Sequence, residues 1–132
     1  MLKENDIKEF LQRQNINYCE HSSVWGVIFP KKITYLAGPI TASLSLQYHV
    51  LHFNQEGIAI IGISNTTGKI MENAFDFISN NEISHITFRK KMMSYELEIA
   101  TNKGILAYKV NKTMIGTPWH KENLPKILQR FC

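Results

Sequence analysis

The chain has 132 residues, of which 44% are hydrophobic and 20% are charged, the balance of a single globular domain. A chain of this length buries about two thirds of its unfolded surface, so it needs no disulfide or metal ion to fold. The composition excludes a disordered chain, a collagen-like repeat and a coiled coil. Two cysteines, Cys19 and Cys132, are too few for a disulfide framework, so we expect a protein of a reducing, cytoplasmic compartment.

The charge is unevenly distributed along the chain. Residues 1–85 hold 6 Lys/Arg and 8 Asp/Glu, whereas residues 86–132 hold 9 Lys/Arg and 3 Asp/Glu. Such asymmetry is typical of a surface for anionic partners, and it is equally typical of exposed strand and helix faces that face water.

The first element is an amphipathic helix. Ile7, Phe10 and Leu11 have the i, i+3, i+4 spacing of one helical face, and Asn5 is the expected N-cap. We assign residues 1–20 to an N-terminal helical extension and residues 23–131 to the remainder of one domain.

Strands follow, because aromatic and branched residues dominate short runs that are separated by Gly, Asn or Pro. The predicted strands are Val24–Phe29, Ser43–Phe53, Ile58–Ser64, Ala74–Ile78, Ile83–Lys90, Tyr95–Thr101 and Ile105–Asn111. Residues 33–55 carry no charge, but their second half alternates as a strand does, which argues against a membrane span.

Two hairpins have a predictable register. Around residues 54–57, pairing Phe53 with Ile58 leaves both faces apolar, so these strands lie in the middle of the protein. Around residues 102–104, facing Thr101 with Leu106 keeps Leu97 and Ile99 on one face. That pairing sets Glu98 against Lys109 and Glu96 against Asn111. A loop of odd length would mix the two faces, so we expect a loop of two or four residues.

A second helix ends the chain. Thr117 and Pro118 form a start signal, and Pro125 predicts either a kink or a start near Asn123. We expect Trp119 to be a buried anchor whose indole N–H reaches a backbone carbonyl. The apolar stripe of this helix is Leu124, Ile127, Leu128 and Phe131. Seven strands and this helix predict a mainly β fold (α+β): an antiparallel barrel or sandwich with an open end covered by the helix.

The polar residues do not predict catalysis or metal binding. His49 and His52 are three residues apart on a strand and point to opposite faces, so they cannot share a metal ion. The segment Gly62–Ile70 has five residues between its glycines and leads toward a strand, so it is a loop and not a phosphate site. Glu96 and Glu98 share a face, but Glu98 has a predicted lysine partner. We expect no enzyme activity and no cofactor.

One basic cluster is a candidate partner-binding site. Arg89, Lys90 and Lys91 lie at a hairpin tip with Met92 and Met93, and Lys31 and Lys32 are candidates to extend it. Cations beside soft apolar side chains suit an anionic surface, at about 1 kcal/mol per cation. A solvated turn with the methionines packed beneath it is the simpler interpretation. Nucleic-acid binding is not expected, because the aromatic residues alternate into the core.

Residues 43–130 resemble the bacterial pleckstrin-homology-like domains, which are mostly small proteins of low-GC bacteria. The resemblance rests on Phe75–Ile78 with Glu82–Ile86, on Tyr95–Ile99 with Gly104–Val110, and on Pro118–Leu124. It implies two nearly orthogonal antiparallel sheets, of four and three strands, with the C-terminal helix capping one end. Eukaryotic relatives that bind phosphoinositides have an arginine between the first two strands. Here that loop has Lys31 and Lys32 but no arginine, so the resemblance does not imply inositide binding.

The resemblance implies binding or assembly and not catalysis. We therefore expect a module that binds a protein partner or itself, with no identifiable small-molecule substrate. Peripheral binding to an anionic membrane through the basic hairpin tip is the alternative.

Overall fold

In the computed structural model, the described residues are 2–35 and 44–131. Ser43, where the second strand was expected to begin, and Cys132 lie outside them. The elements are α1 (Glu4–Arg13), β1 (Ser23–Ile28), β2 (Tyr48–Phe53), β3 (Gly57–Ile63), β4 (Ile70–Ser79), β5 (Ile83–Lys90), β6 (Ser94–Thr101), β7 (Gly104–Asn111) and α2 (Pro118–Phe131), with 3-10 turns at Pro30–Lys32 and Asn80–Glu82. Neither described helix is long and apolar enough to cross a membrane.

The seven strands form one antiparallel sheet in the order β4-β3-β2-β1-β7-β6-β5. Strands β1 and β7 pair through only two residue pairs, Val27 with Lys109 and Ile28 with Tyr108. The mainly β class and the C-terminal helix are therefore confirmed. The sheet is not closed into a barrel, since β4 and β5 form its two edges.

The sheet curves strongly about the β1–β7 junction. Strands β2 and β5 are four positions apart, which would be about 19 Å in a flat sheet. Nevertheless, the rings of Phe53 on β2 and Phe88 on β5 have centroids 6.3 Å apart. Phe131 of α2 contacts both rings, at 5.3 Å and 5.9 Å. The C-terminal helix therefore fills the concave side of the sheet.

The strands β1–β3 bury both of their faces, because each face has its own apolar cluster. Alternate residues go to opposite clusters: Val24 faces the concave side with Leu124, and Trp25 faces the convex side. The helix α1 covers the convex side with Ile7, Phe10 and Leu11, all fully buried. The prediction that strands β2 and β3 lie in the middle of the protein is confirmed.

The register of the first hairpin is confirmed and that of the second is off by two residues. Phe53 pairs with Ile58 as predicted. In the second hairpin Thr101 pairs with Gly104, so the loop has two residues, which confirms one of the two predicted lengths. The φ of Gly104, +126°, is one that other residues rarely adopt, and it allows this tighter turn. The faces are unchanged, because a slip of two residues preserves the alternation.

The helix ends differ from prediction in two respects. Asn5 lies inside α1 and donates to Glu9, whereas Lys3 is the N-cap and its N–H bonds the Asp6 carboxylate at 2.9 Å. The Lys3 ammonium cannot accept a bond, so Asp6 supplies the capping. Helix α2 runs from Pro118 to Phe131 and includes Pro125, so it does not begin near Asn123.

Candidate functional site

Two of the five candidate basic residues share one buried carboxylate. Glu96 on β6 has only 4% of its side chain exposed. The Lys32 ammonium bonds one of its oxygens, and the Arg89 guanidinium bonds the other at 2.6 Å. These contacts fasten the turn Pro30–Lys32 to strands β5 and β6.

The two cations, Lys32 and Arg89, favour the ionised form of the Glu96 carboxylate. The hydrogen bond from Lys32, followed by the charges of Lys32 and Arg89, lowers the pKa of Glu96 in spite of burial, which opposes it. The Lys32 ammonium also lies 5.3 Å from the ring centroid of Phe29. The charges of Lys32 and Arg89 are therefore already engaged within the chain.

The other three candidates remain available to a partner. Lys31, Lys90 and Lys91 are exposed, and they form no ion pair with another described residue. Met92 and Met93 are 88% and 73% exposed, so the prediction that they pack beneath the turn is wrong. We call Arg89–Met93 the basic tip. The turn extends past the sheet, and its main chain contacts the next loop where Met93 accepts the Lys112 N–H at 3.3 Å.

The two carboxylates of β6 differ from prediction in their neighbours. Lys109 lies opposite Glu96, and Glu98 lies opposite Ala107. The expectation that Glu98 has a lysine partner is therefore wrong, and the cause is the two-residue shift of register. The buried carboxylate with basic partners is Glu96, which the sequence assigned to a polar outer face.

Ser23 and His52 form a close pair that has the residue types of a nucleophile and a base. Ser23 Oγ lies 2.6 Å from His52 Nδ1, and both residues are fully buried. His52 Nε2 accepts the backbone N–H of Cys19 at 3.0 Å, and Tyr18 stacks on the imidazole at 5.0 Å. Burial, together with the charge of Arg130, lowers the pKa of His52 to about 4. The ring is therefore neutral at pH 7, with its proton on Nδ1 toward Ser23.

His49 and His52 point to opposite faces, as predicted. His49 Nδ1 lies 2.7 Å from the Tyr108 hydroxyl on the concave side, whereas His52 faces the convex side. Among residues 2–35 and 44–131, no three His, Cys, Asp or Glu side chains are grouped as metal ligands.

A second buried polar group joins α2 to β1, and no pattern in the sequence predicts it. His120 Nδ1 accepts the backbone N–H of Trp25 at 3.0 Å, and its Nε2 lies 2.5 Å from the Asn111 carbonyl oxygen. Burial lowers the pKa of His120, so the neutral ring bridges two backbone groups. Asn123 donates to Glu4 and to the Ser23 carbonyl, at 2.8 and 3.0 Å. These side chains fix α2 against the start of α1.

Trp119 is the buried anchor that the sequence predicted. It is 7% exposed, and its indole N–H donates to the Leu2 carbonyl at 3.2 Å. Its ring stacks on Trp25, with centroids 6.2 Å apart. Leu124 and Ile127 are buried, Leu128 and Phe131 are half-buried, and Lys121, Lys126 and Arg130 are exposed, so the predicted faces of the helix are confirmed.

Trp25 also lines a shallow pocket of about 200 Å³ on the convex side, which we call the Trp25 pocket. Its lining residues are Trp25, Tyr48, Ile63, Ser64, Asn65, Gly68 and Met114. The indole N–H of Trp25 is buried and has no hydrogen-bond partner among the described residues. The loop Ser64–Lys69, predicted to join two strands and not to bind phosphate, connects β3 to β4 at this pocket.

No protein-family model, curated protein or solved structure matches the chain.

Proposed function

We propose that the chain is a non-enzymatic interaction module of the pleckstrin-homology-like type, which binds a protein partner or a second copy of itself. The observation that carries this proposal is the free edge of β5, which leads directly into the exposed basic tip. Among the described strands, β5 pairs only with β6, so its outer edge is open to an added strand.

The fold type is supported by the arrangement of the strands. Four consecutive strands lie on one side of the β1–β7 junction and three lie on the other. The contacts of Phe131 with both parts show that α2 lies in the concave side between them. A helix between a four-stranded and a three-stranded part supports the fold type that the resemblance implies, and the sheet is open between β4 and β5.

A binding role is supported by the burial and bonding of the residues whose types could serve in catalysis. Ser23 Oγ is buried, and the Nε2 atom of His52 is occupied by a backbone N–H. A general base needs access to the proton that it removes, and this imidazole has none. Glu96 is held ionised between two cations, which leaves it poorly suited to exchange protons near pH 7.

The basic tip predicts the chemistry of a protein partner. Met92 and Met93 offer flexible apolar surface, and methionine adapts to differently shaped partners. Lys90 and Lys91 are exposed cations beside them. A partner segment that combines apolar side chains with carboxylates, and that pairs along β5, is the best fit.

The test is to identify the protein that co-purifies with the chain and to measure its affinity for defined variants. Met92→Ser with Met93→Ser removes the apolar surface at exposed positions, so the melting temperature is expected to stay unchanged. We expect the dissociation constant to rise about tenfold or more. Lys121→Ser, an exposed change on α2, is the matched control. An unchanged affinity in the tip variant would contradict the proposed surface.

Binding to an anionic membrane surface is the second candidate, and the same tip favours it. Lys31, Lys90 and Lys91 are free cations, and each contributes about 1 kcal/mol near anionic lipid. Two exposed methionines have the apolar surface to enter the headgroup region.

Vesicle co-sedimentation separates the two candidates. Phosphatidylglycerol-containing vesicles should retain the chain at low salt and release it at high salt if the membrane is the target. Lys90→Glu with Lys91→Glu should then abolish retention, and neutral phosphatidylcholine vesicles serve as the control. No retention at either salt concentration would leave the protein partner as the function.

A further inference from the structure

The two edges of the sheet differ in how their outward main-chain groups are bonded. At the end of β4, Asn80 donates its N–H to the Glu56 carbonyl. By alternation, Ile78 then bonds β3, and Phe77 points its N–H outward. The Asp76 carboxylate accepts that N–H at 2.8 Å. The chain therefore occupies an outward donor of β4 with its own side chain, which opposes the addition of a strand there.

Strand β5 presents its outward groups to water. Just beyond its end, Lys91 donates its N–H to the Ser94 carbonyl at 2.8 Å. By alternation, Thr87 bonds β6, and the N–H and C=O groups of Ile86 and Phe88 point away from the sheet. The strand pairs with no described strand other than β6, and five of its eight residues are exposed. Of the two edges, β5 is therefore the better suited to accept another strand.

The two ends of β5 carry opposite charge. The strand ends at Lys90 and continues into Lys91, and both side chains are exposed. The turn Asn80–Glu82, which precedes the strand, has three carboxylates and one ammonium near it, those of Glu56, Asp76, Glu82 and Lys103. The charge is therefore negative at the start of β5 and positive at its end. Such a strand is complementary to a second copy of itself in the antiparallel direction and not in the parallel one.

We propose that two copies of the chain associate through β5, with the two strands antiparallel about a two-fold axis at Thr87. This proposal rests on the self-association that the proposed function includes, and it names the edge and the register. In this register, Ile86 of each copy exchanges main-chain hydrogen bonds with Phe88 of the other. The basic tip of each copy then lies beside the turn Asn80–Glu82 of the other.

The chain itself contains a segment with the chemistry that suits the basic tip. Residues 82–88 combine the Glu82 carboxylate with the half-buried apolar side chains of Ile83 and Ile86. In the proposed register, Lys91 of one copy lies opposite Ile83 of the other, within one residue of Glu82. Cations therefore meet carboxylates at both ends of the paired strands. The contact is isologous, so the assembly closes at two and covers both free β5 edges.

A disulfide cross-link tests the register. Thr87 bonds β6 within its own chain, so across the axis the two Thr87 residues form a non-hydrogen-bonded pair, with Cα atoms about 4.5 Å apart. That distance suits a disulfide. In a chain whose Cys19 and Cys132 are replaced by serine, Thr87→Cys should therefore be cross-linked to a dimer by oxidised glutathione.

His85→Cys in the same background is the matched control, because His85 is exposed on the same strand and the same face. It lies opposite Arg89 of the other copy, so the two His85 residues are four residues, about 13 Å, apart along the strands. A disulfide cannot span that distance. We expect His85→Cys to cross-link at no more than about a tenth of the rate of Thr87→Cys.

Light scattering and sedimentation over a wide concentration range test the association itself, and we expect a monomer–dimer equilibrium for the natural chain. Thr87→Lys places two ammonium groups opposite each other at the axis and should raise the dimer dissociation constant about fivefold. Within one chain the new lysine faces Glu98, so the melting temperature of the monomer should stay unchanged. Asn73→Lys adds the same charge at an exposed position of β4 and is the matched control, expected to leave the equilibrium unchanged.

The outcomes separate this inference from the proposed function. A natural chain that stays monomeric at every concentration would overturn the inference, while capture of a different protein through the basic tip would still stand. A dimer that Asn73→Lys weakens and Thr87→Lys leaves intact would also overturn it, and so would equal cross-linking of Thr87→Cys and His85→Cys. A dimer that Thr87→Lys alone weakens, and that Thr87→Cys alone cross-links, supports it.

Discussion

The two parts of the sheet, β1–β4 and β5–β7, differ in how many of their residues are buried. Strand β3 is buried at every one of its positions, whereas β5 has one buried residue, Phe88, and five exposed ones. Both parts contribute to the concave core around α2, so the difference lies on the convex side. There, α1 covers β1–β4, and no described helix covers β5–β7.

The difference shows that the N-terminal helix is part of the core of one half of the sheet. Phe10 of α1 contacts Phe75 of β4 edge to face, with ring centroids 5.2 Å apart. The uncovered half instead presents Arg89, Lys90 and Lys109 to water. Burial on both faces is therefore greatest in the covered half, while the charged, exposed surface lies on β5–β7.

The largest expected loss of stability comes from a substitution at the place where both helices contact β1–β4. Trp119→Ala removes a buried indole from contact with Trp25 and frees the Leu2 carbonyl. We expect the free energy of unfolding to fall by roughly 3–5 kcal/mol, enough to unfold a typical domain. Urea denaturation followed by circular dichroism measures this loss.

The control for that change is Lys121→Ala, an exposed position on the same helix, where we expect a change within about 0.5 kcal/mol. A cooperative transition of Trp119→Ala at the midpoint of the natural chain would show that the indole is not a core element. The covered half would then owe its stability to the sheet alone.

The second effect is acid sensitivity, and it is expected in the covered half. The folded pKa of His52 is about 4 against 6.5 in the unfolded chain, because burial disfavours the imidazolium. Between these values the unfolded state binds more protons, so stability falls as the pH falls. His52 alone should lower the free energy of unfolding by about 3 kcal/mol from pH 7 to pH 4, and His120 acts in the same direction.

Unfolding of His52→Gln over the same pH range measures that contribution. The glutamine amide oxygen can still accept the Cys19 N–H but does not titrate. The variant should therefore lose some stability at pH 7 and show a flatter pH dependence below about 6.5. Equal slopes in the two proteins would place the acid sensitivity in other groups.

Much of the architecture was predictable because each half of the sheet follows local rules. Alternation predicted the strands, and two-sided apolar pairing of Phe53 with Ile58 placed β2 and β3 in the interior. The stripe of α2 and the anchoring role of Trp119 followed from helical spacing and from the chemistry of the indole. These signals act within one element or one hairpin.

The rest depended on contacts between distant segments. The pairing of Glu96 with Lys32 joins β6 to the turn after β1, which no local pattern predicts. The position of Lys109 opposite Glu96 required the register of the second hairpin, and alternation accepts either register because both keep the same faces. The bonds of His52 with Cys19 and of Asn123 with Glu4 join residues that only the completed fold brings together. The exposure of Met92 and the unpaired N–H of Trp25 likewise follow from packing and not from pattern.

The smallest expected effect tests the uncovered half at its one buried carboxylate. Glu96→Gln keeps the shape of the side chain and removes its charge, so Lys32 and Arg89 lose their common partner. Both cations are about half exposed, at 47% and 53%, and water can solvate them once they are released. We therefore expect a loss of about 1 kcal/mol at pH 7, well below the effects at Trp119 and His52. The folded pKa of Glu96 lies below the ordinary value of a glutamate, so the loss should diminish as the pH falls through that folded pKa. High salt should also reduce it.

Glu98→Gln on the same face, where no ion pair with a described residue is lost, is the matched control, and equal losses in both variants would contradict a specific role for the buried carboxylate.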